Sequence, residues 1–324
     1  MLASKNHRYK SGIDPFKEKF FVFFISGGRT GTKFFADVLS NYINDSFSIH
    51  EPDVIHLSKG ETSLYYSIKE FGIYWVVIGK LLGKTGIRNL SERYLSGKCT
   101  IEDIKETLYK YRKKFYHNIA QQLIIESYSG WYALIPGIRE TYSNYKIIII
   151  IRDPRDWVSS NMNWGTMYGN RDWVQKLGLG RLSPELITDK EYTYRWKDFD
   201  QFQKLCWAWR AIYETLLEHS KNDPNIRIFK FEDLFCSKGK EDHFSSLLRF
   251  ITTFNNQNFY LKNQMNKKSV FNKKIHENIS YDFPLWKNWS KEYANHLNQI
   301  CGFLMSKFEY GSEPDWKCKI NHQP

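Results

Sequence analysis

The sequence has few cysteines, and none of them are grouped. Cys99, Cys206, Cys236, Cys301 and Cys318 make no CxxC pair and no Cys/His cluster, which argues against structural zinc and a disulfide framework and points to a reducing, cytoplasmic setting. Long apolar runs are missing too. The most apolar internal stretch, Phe71 to Leu82, is interrupted by Gly79 and Lys80 and falls short of the roughly 20 residues that cross a bilayer. It reads as a buried or lid helix, with peripheral membrane contact over 71–83 as the second reading. Met1 to Lys19 is polar and basic, with no apolar core, so export by a signal peptide is not expected. No internal repeat and no Pro/Gly/Ser-rich linker breaks the chain, so a single domain over 16–312 is expected, with tails at 1–15 and 313–324.

Acidic residues are in deficit. With 35 Asp and Glu against 47 Lys and Arg, the formal net charge is +12, which favours anionic ligands such as nucleotides, nucleic acid, acidic sugars or an anionic membrane surface. The hydrophobic fraction of 42% excludes a disordered or fibrous class.

Short apolar runs alternate with longer helical patterns, the signature of βα units around a parallel sheet. The predicted strands are 20–25, 47–50, 123–125, 145–151 and 226–231; helices are predicted within 62–82, 101–118, 131–143, 154–163, 199–220, 241–255 and 290–308. The fold class is therefore α/β, a three-layer α/β/α arrangement with a central parallel sheet.

The first strand runs into Ser26-Gly-Gly-Arg-Thr-Gly-Thr-Lys33 and then a helix. A glycine-rich turn at a helix start offers backbone amides and a positive dipole end to an anion. Gly27, Gly28 and Gly31 allow close approach, Arg29 and Lys33 add cations, and Thr30 and Thr32 add hydroxyls. Glycines alone fit an ordinary tight bend equally well. The turn does not fit Walker A, because Gly27 is three residues from Gly31 and Phe34 stands where a metal-binding hydroxyl is required. A metal-dependent kinase or NTPase is disfavoured.

Strand, turn and helix recur at Ile151-Arg-Asp-Pro-Arg-Asp-Trp-Val-Ser-Ser160. Asp153 reads as N-cap and Pro154 as the first helical residue, which puts Arg152 at the C-terminal end of a central strand. Sheets of this kind gather ligands there, so Arg152 and the first loop can share one crevice. Arg152 pairing with Asp153 or Asp156 is the structural alternative.

Together these segments resemble the PAPS-dependent sulfotransferase family, of P-loop-like nucleotide-binding fold. The resemblance implies that the first loop holds the 5′-phosphosulfate of PAPS, with Arg29, Thr30, Gly31 and Thr32 matching its basic residue and Ser/Thr-Gly-Thr core, and that Arg152 and Ser160 hold the 3′-phosphate. Phe231-Glu-Asp-Leu234, Trp286, Trp289, Ile300 to Met305 and Tyr310-Gly311 extend the likeness over about 20–311. Glu126-Ser127 departs from it where many members carry a basic residue. A late basic stretch with Lys267, Lys268, Asn272, Lys273 and Lys274 could close over the nucleotide, and equally reads as a solvated charge run.

Sulfuryl transfer to a hydroxyl or amine requires in-line attack, charge stabilisation and removal of a proton from a poor nucleophile. Glu51 in His50-Glu-Pro-Asp53 is the favoured base, since some carbohydrate and tyrosyl members use a glutamate in a similar place. His50 is the rival, as cytosolic small-molecule members use a histidine. Strand alternation predicts that only one of the two faces the crevice. Lys33 and Arg29 are expected to stabilise developing charge, without a metal. The acceptor is read as a small molecule or glycan. Trp164, Tyr168, Trp173, Tyr192, Tyr194 and Trp196 are candidate pocket walls, whereas Trp207 and Trp209 take the core reading. A basic nucleic-acid-binding protein is the rival class, weakened because the lysines are dispersed; a catalytically inactive nucleotide-binding module is another. Oligomeric state leaves no mark on the sequence.

Overall fold

A computed structural model of the chain describes residues 14–54, 64–172, 181–262 and 282–320. Trp173, the late lysines between 267 and 274, and the outermost parts of both expected tails lie outside the described residues.

Five strands, β1 (Phe20–Ser26), β2 (Ser46–His50), β3 (Leu123–Ser127), β4 (Asn144–Ile151) and β5 (Ile226–Lys230), form one sheet in the order β2-β3-β1-β4-β5. Every pairing is parallel. The near-continuous Phe and Ile runs of β1 and β4 suit strands covered on both faces, and their side chains divide by parity. Phe21, Phe23, Ile25, Ile147, Ile149 and Ile151 enter one apolar cluster. Val22, Phe24, Ile148 and Ile150 enter the other. Helices cover both faces, which makes the three layers expected from the sequence.

The helices used below are α1 (Thr32–Tyr42), α2 (Leu64–Phe71), α3 (Ile87–Leu95), α4 (Ile101–Asn118), α5 (Ile135–Thr141), α6 (Pro154–Trp164), α7 (Gln201–Ser220), α8 (Phe231–Phe235), α9 (Lys240–Thr252), α10 (Lys291–Lys307) and α11 (Pro314–Ile320). Strand β1 lies between β3 and β4. Its crossover through α1 runs toward β2, while the crossover of β4 runs the other way to β5, so the chain reverses direction between β1 and β4. A parallel sheet leaves a crevice at such a point, beyond the C-terminal strand ends.

Several boundaries differ from the sequence reading. The helix expected over 62–82 ends at Phe71, because Gly72 takes φ +84°, and resumes as a π turn over Tyr74–Ile78. Trp75 and Val76 point into the core, while Ile73, Ile78, Leu81 and Leu82 remain exposed. Among the described residues no helix is long and apolar enough to cross a membrane. The expected strand end Phe231 instead starts α8. The expected tail from 313 is folded over 314–320 as α11, since Trp316 is buried beneath the Arg155 guanidinium and Glu313 forms an ion pair with Arg155 at 2.7 Å.

Fully buried Arg112 on α4 ties this frame to the end of β2. It pairs with Glu126 of β3 at 2.6 Å and with Asp53 at 3.5 Å. Tyr116 and Trp131 also donate to Glu126, and the Trp75 indole donates to Asp53 at 2.8 Å. Glu126 is thus a structural counter-ion. Removing one member of a buried ionic cluster leaves an uncompensated charge. Arg112→Leu is expected to cost about 3–5 kcal/mol, read as a lower urea midpoint with an unchanged slope.

Candidate active site

A cavity of about 1330 Å³ lies at the C-terminal ends of the strands. Its floor is the turn between β1 and α1. Ser26 Oγ accepts hydrogen bonds from the Gly28 amide (3.1 Å) and the Thr30 hydroxyl (2.6 Å), which curls the turn onto itself. Gly28, Arg29 and Gly31 have φ of +81°, +56° and +75°. At Gly31 a side chain is excluded twice over: the left-handed backbone disfavours it, and a Cβ would meet the Phe235 ring at 3.0 Å. Gly31 caps α1 without a side chain, so first-turn amides, which have no acceptor within the helix, remain suited to an anion.

The expected cradle residues divide by role. The Gly27 amide is already bound by the Tyr213 hydroxyl at 3.3 Å, and the Gly28 carbonyl accepts from the Trp157 indole at 2.9 Å. Thr30 is wholly buried and its hydroxyl faces Ser26, so it shapes the loop and does not line the cavity. Gly31 and Thr32 do line it. Lys33 stands at the rim, half exposed, with its ammonium held by Asp37 at 2.8 Å.

Arg152 leaves β4 beside this turn. Its guanidinium donates to the Arg29 carbonyl at 2.8 Å and lies over the Phe231 ring at 4.6 Å. The alternative pairing does not form, because Asp153 is engaged by Arg155 and caps α6 through the Arg155 amide. Arg29 Nε donates to Ser160 Oγ at 3.1 Å, and the Arg29 guanidinium stacks on Trp164 at 4.7 Å. Arg29, Arg152 and Ser160, expected on two separate motifs, thus meet directly. Burial lowers the pKa of Arg29, and the neighbouring positive charge of Arg152 lowers it further. Arg152 Nε is buried without a hydrogen-bond partner. Two cations side by side with an unsatisfied donor form a receptor for a multiply charged anion.

Residues that sequence reasoning assigned only to packing fix this geometry. On α7, Trp209 donates to the Arg152 carbonyl at 3.0 Å and Tyr213 to the Ile150 carbonyl at 2.8 Å. Glu232 on α8 accepts from the Asp153 amide (3.0 Å) and from the Tyr310 hydroxyl (2.7 Å). Each supplies an indole, phenol or carboxylate to a backbone group that the turns leave unpaired, and a buried Trp or Tyr near a loop signals this.

At the end of β2, His50 and Glu51 both line the cavity. Strand alternation predicted one. The chain leaves the strand at Glu51 with φ +45°, which breaks the alternation and turns the second side chain inward as well. His50 Nδ1 lies 3.0 Å from the Ser127 carbonyl; a carbonyl only accepts, so Nδ1 carries the hydrogen of this contact, and the other ring nitrogen is Nε2. That Nε2 is 4.0 Å from Glu51 Oε2, and Ser129 donates to Glu51 Oε1 at 3.4 Å. Left-handed backbone at a glutamate is strain held by its surroundings.

The opposite wall was missed. Helix α3 follows Gly86, whose φ is +88°, and buries Ile87, Leu90 and Ser91, leaving Arg88 and Glu92 to face the cavity. The glycine followed by Ile87 and Leu90 was the available signal. Burial works to lower the pKa of Arg88, but Tyr128, Glu51, Glu92 and Tyr132 raise it on balance. Burial pushes the Glu92 carboxyl up to about 7 against the opposing pull of Arg88 and Arg181. Of the expected aromatic walls among the described residues, only Trp164 lines the cavity. Tyr168 packs on Trp196, Trp196 packs on Trp207, Tyr192 is buried and Tyr194 is exposed. Trp207 and Trp209 are buried as expected.

The sequence profile of the family described as "Sulfotransferase domain" matches residues 22–254. A comparison with curated proteins finds no match. Among solved structures, a sulfotransferase from Alicyclobacillus acidocaldarius is similar at 12% identity, covering 91% of this chain and 98% of its own, with a TM-score of 0.41. One from Mycobacterium avium is similar at 10% identity, covering 91% and 78%, with a TM-score of 0.47. A mouse sulfotransferase complexed with PAP is similar at 12% identity, covering 94% and 89%, with a TM-score of 0.40.

The Glu92 shift sets a pH dependence of stability. The folded chain holds this proton more tightly than the unfolded one, so the associated stability is full below the ordinary value of 4.5 and is lost as pH rises toward about 7. Glu92→Gln is expected to raise the melting temperature at about pH 8 and leave it unchanged at about pH 4, measured by thermal denaturation across that range.

Proposed function

The chain belongs to the sulfotransferase family, and from that premise we propose that it moves a sulfuryl group from PAPS to a hydroxyl or amine on a small-molecule or glycan acceptor. The observation that carries the donor assignment is the contact of Arg29 with Ser160 (3.1 Å) and Arg152 (2.8 Å), with Arg152 Nε left without a partner. A bisphosphorylated nucleotide fits this donor set. Amides of Gly31, Thr32 and Lys33 at the start of α1, with Arg29, would hold the 5′ side; Arg152 and Ser160 would hold the 3′-phosphate. When bound, PAPS supplies the sulfuryl group and a phosphate leaving group.

The rest of the work falls to this chain's side chains. Glu51 takes the acceptor proton, since its backbone turns the carboxylate into the cavity while Arg88 and Lys80 lie close enough to sense its charge. Arg29 faces the charge that develops at the donor end. Lys33 joins it on release from Asp37. His50 is the second reading for the base, favoured by the Ser127 contact, which holds the ring through Nδ1. Five unpaired cysteines suit a cytoplasmic setting.

Two outcomes test this. PAP at about a hundredfold its dissociation constant is expected to stabilise the protein by about 2.7 kcal/mol, read as a higher melting temperature, and Arg152→Ala is expected to remove most of that gain. In incubations of cell extract with sulfur-labelled PAPS, Glu51→Gln is expected to lower turnover by about 10² to 10⁴-fold while PAP affinity stays unchanged. Full labelling by Glu51→Gln would pass the base role to His50; PAP binding with no labelled product would favour the inactive module.

A further inference from the structure

The donor assignment gives no task to Arg88, a cation of the cavity wall. Arg88 projects from α3 into the cavity, where solvent reaches it although protein surrounds it. It makes no side-chain hydrogen bond or ion pair among the described residues. The nearest candidate on its own helix, Glu92 at i+4, does not close on it, and the carboxylate of Asp172 is taken by Arg181 at 2.6 Å. Tyr132 stands beside it on the same wall, 6% exposed, with a hydroxyl that has no hydrogen-bond partner. A guanidinium offers five donors and a phenol one, and an enclosed site that leaves such groups unmatched is built for an acceptor that brings its own oxygens.

Resting on the sulfotransferase reading, we propose that the acceptor carries an anionic group, a carboxylate, sulfate or phosphate monoester, and that Arg88 with the Tyr132 hydroxyl binds it. Four arguments converge. Arg88 lines the same cavity as Glu51, whose charge bears on it, while Arg29 contacts Ser160 and Trp164 on the donor side. Arg171 also lines this part of the cavity, which places a second guanidinium on the same wall as Arg88. Glu92, with its carboxyl raised to about 7, is part-protonated at neutral pH and opposes an anion less than an ordinary glutamate does. Finally, Arg88 holds no other element in place, so its position is not needed to close the fold. A neutral acceptor would leave the Tyr132 hydroxyl without a partner, at the cost attached to a buried polar group left unpaired.

The test separates this inference from the reading beneath it. Small molecules and glycans from cell extract are divided on an anion exchanger at neutral pH into retained and unretained pools, and each pool is incubated with sulfur-labelled PAPS and the full-length protein. Acceptor activity is expected in the retained pool. Methyl esterification of that pool abolishes it if the group is a carboxylate; phosphatase treatment does so if it is a phosphate; resistance to both assigns a sulfate. Arg88→Gln is expected to lower kcat/KM for the retained pool by about tenfold to a hundredfold, with PAP affinity within about twofold and an unchanged melting temperature, and Arg88→Lys to restore part of the loss. Acceptor activity confined to the unretained pool, or full activity in Arg88→Gln, overturns the proposal. Failure of the native protein to bind PAP overturns the donor assignment instead, and is read by calorimetry without any acceptor.

Discussion

Everything at this site depends on holding two like charges together. Arg29 and Arg152 come from turns more than a hundred residues apart, yet the guanidinium of one donates to the carbonyl of the other at 2.8 Å. In an enclosed cavity this proximity is unfavourable, as the lowered pKa of Arg29 reflects through burial and then the charge of Arg152. The fold tolerates it because neither arginine is positioned by its own guanidinium alone. The backbone of each turn is fixed from outside, by Tyr213 and Trp157 on one side and by Trp209 and Glu232 on the other. A rigid frame thus carries the repulsion, which is how preorganised electrostatics differ from a flexible basic surface.

The sheet makes this frame available. Adjacent parallel strands β1 and β4 bring Ser26 and Ile150 into register, so the turns that follow them emerge side by side. The same two strands are buried along most of their length, with one apolar cluster above and one below. Stability and function therefore share a scaffold but not the same atoms: the strand side chains bind the layers, and the residues just past the strand ends meet the ligand. The buried Arg112, Glu126 and Asp53 cluster extends this logic to β2, anchoring the chain two residues after Glu51.

The central sheet and the meeting of Arg29, Arg152 and Ser160 in one crevice were legible because their signals are local. An apolar β-branched run predicts a doubly covered strand, and a glycine-rich turn or an Asp-Pro pair predicts a helix start, all within a few residues. Arg29, Arg152 and Ser160 could therefore be placed in one crevice before their contacts were known. The acceptor side was less legible because its signals are tertiary. Arg88 and Glu92 lie on a short amphipathic helix with an ordinary pattern, and only its packing against the wall carrying Tyr132 gives them a direction. The aromatic stretch misled for the converse reason: Trp and Tyr are conspicuous in sequence, but Tyr168 packs on Trp196 and Tyr192 on Phe199, and none of the three lines the cavity. The pairing of His50 with Glu51 turned on a single backbone angle of +45°, which no side-chain pattern encodes.

The C-terminal clamp bears on how the site comes into being during synthesis. Arg155, in the turn that presents Arg152, is held by Glu313 at 2.7 Å and sandwiched near Trp286 and Trp316, while Tyr310 steadies Glu232 at 2.7 Å. These partners are translated after almost all of the remaining chain. A nascent chain emerging from the ribosome can pair its parallel strands as soon as β5 is out, yet its second nucleotide turn stays unbraced until the last helix arrives. The sheet can thus form before this turn is braced, and Arg155 gains its Glu313 partner only once residue 313 has been translated.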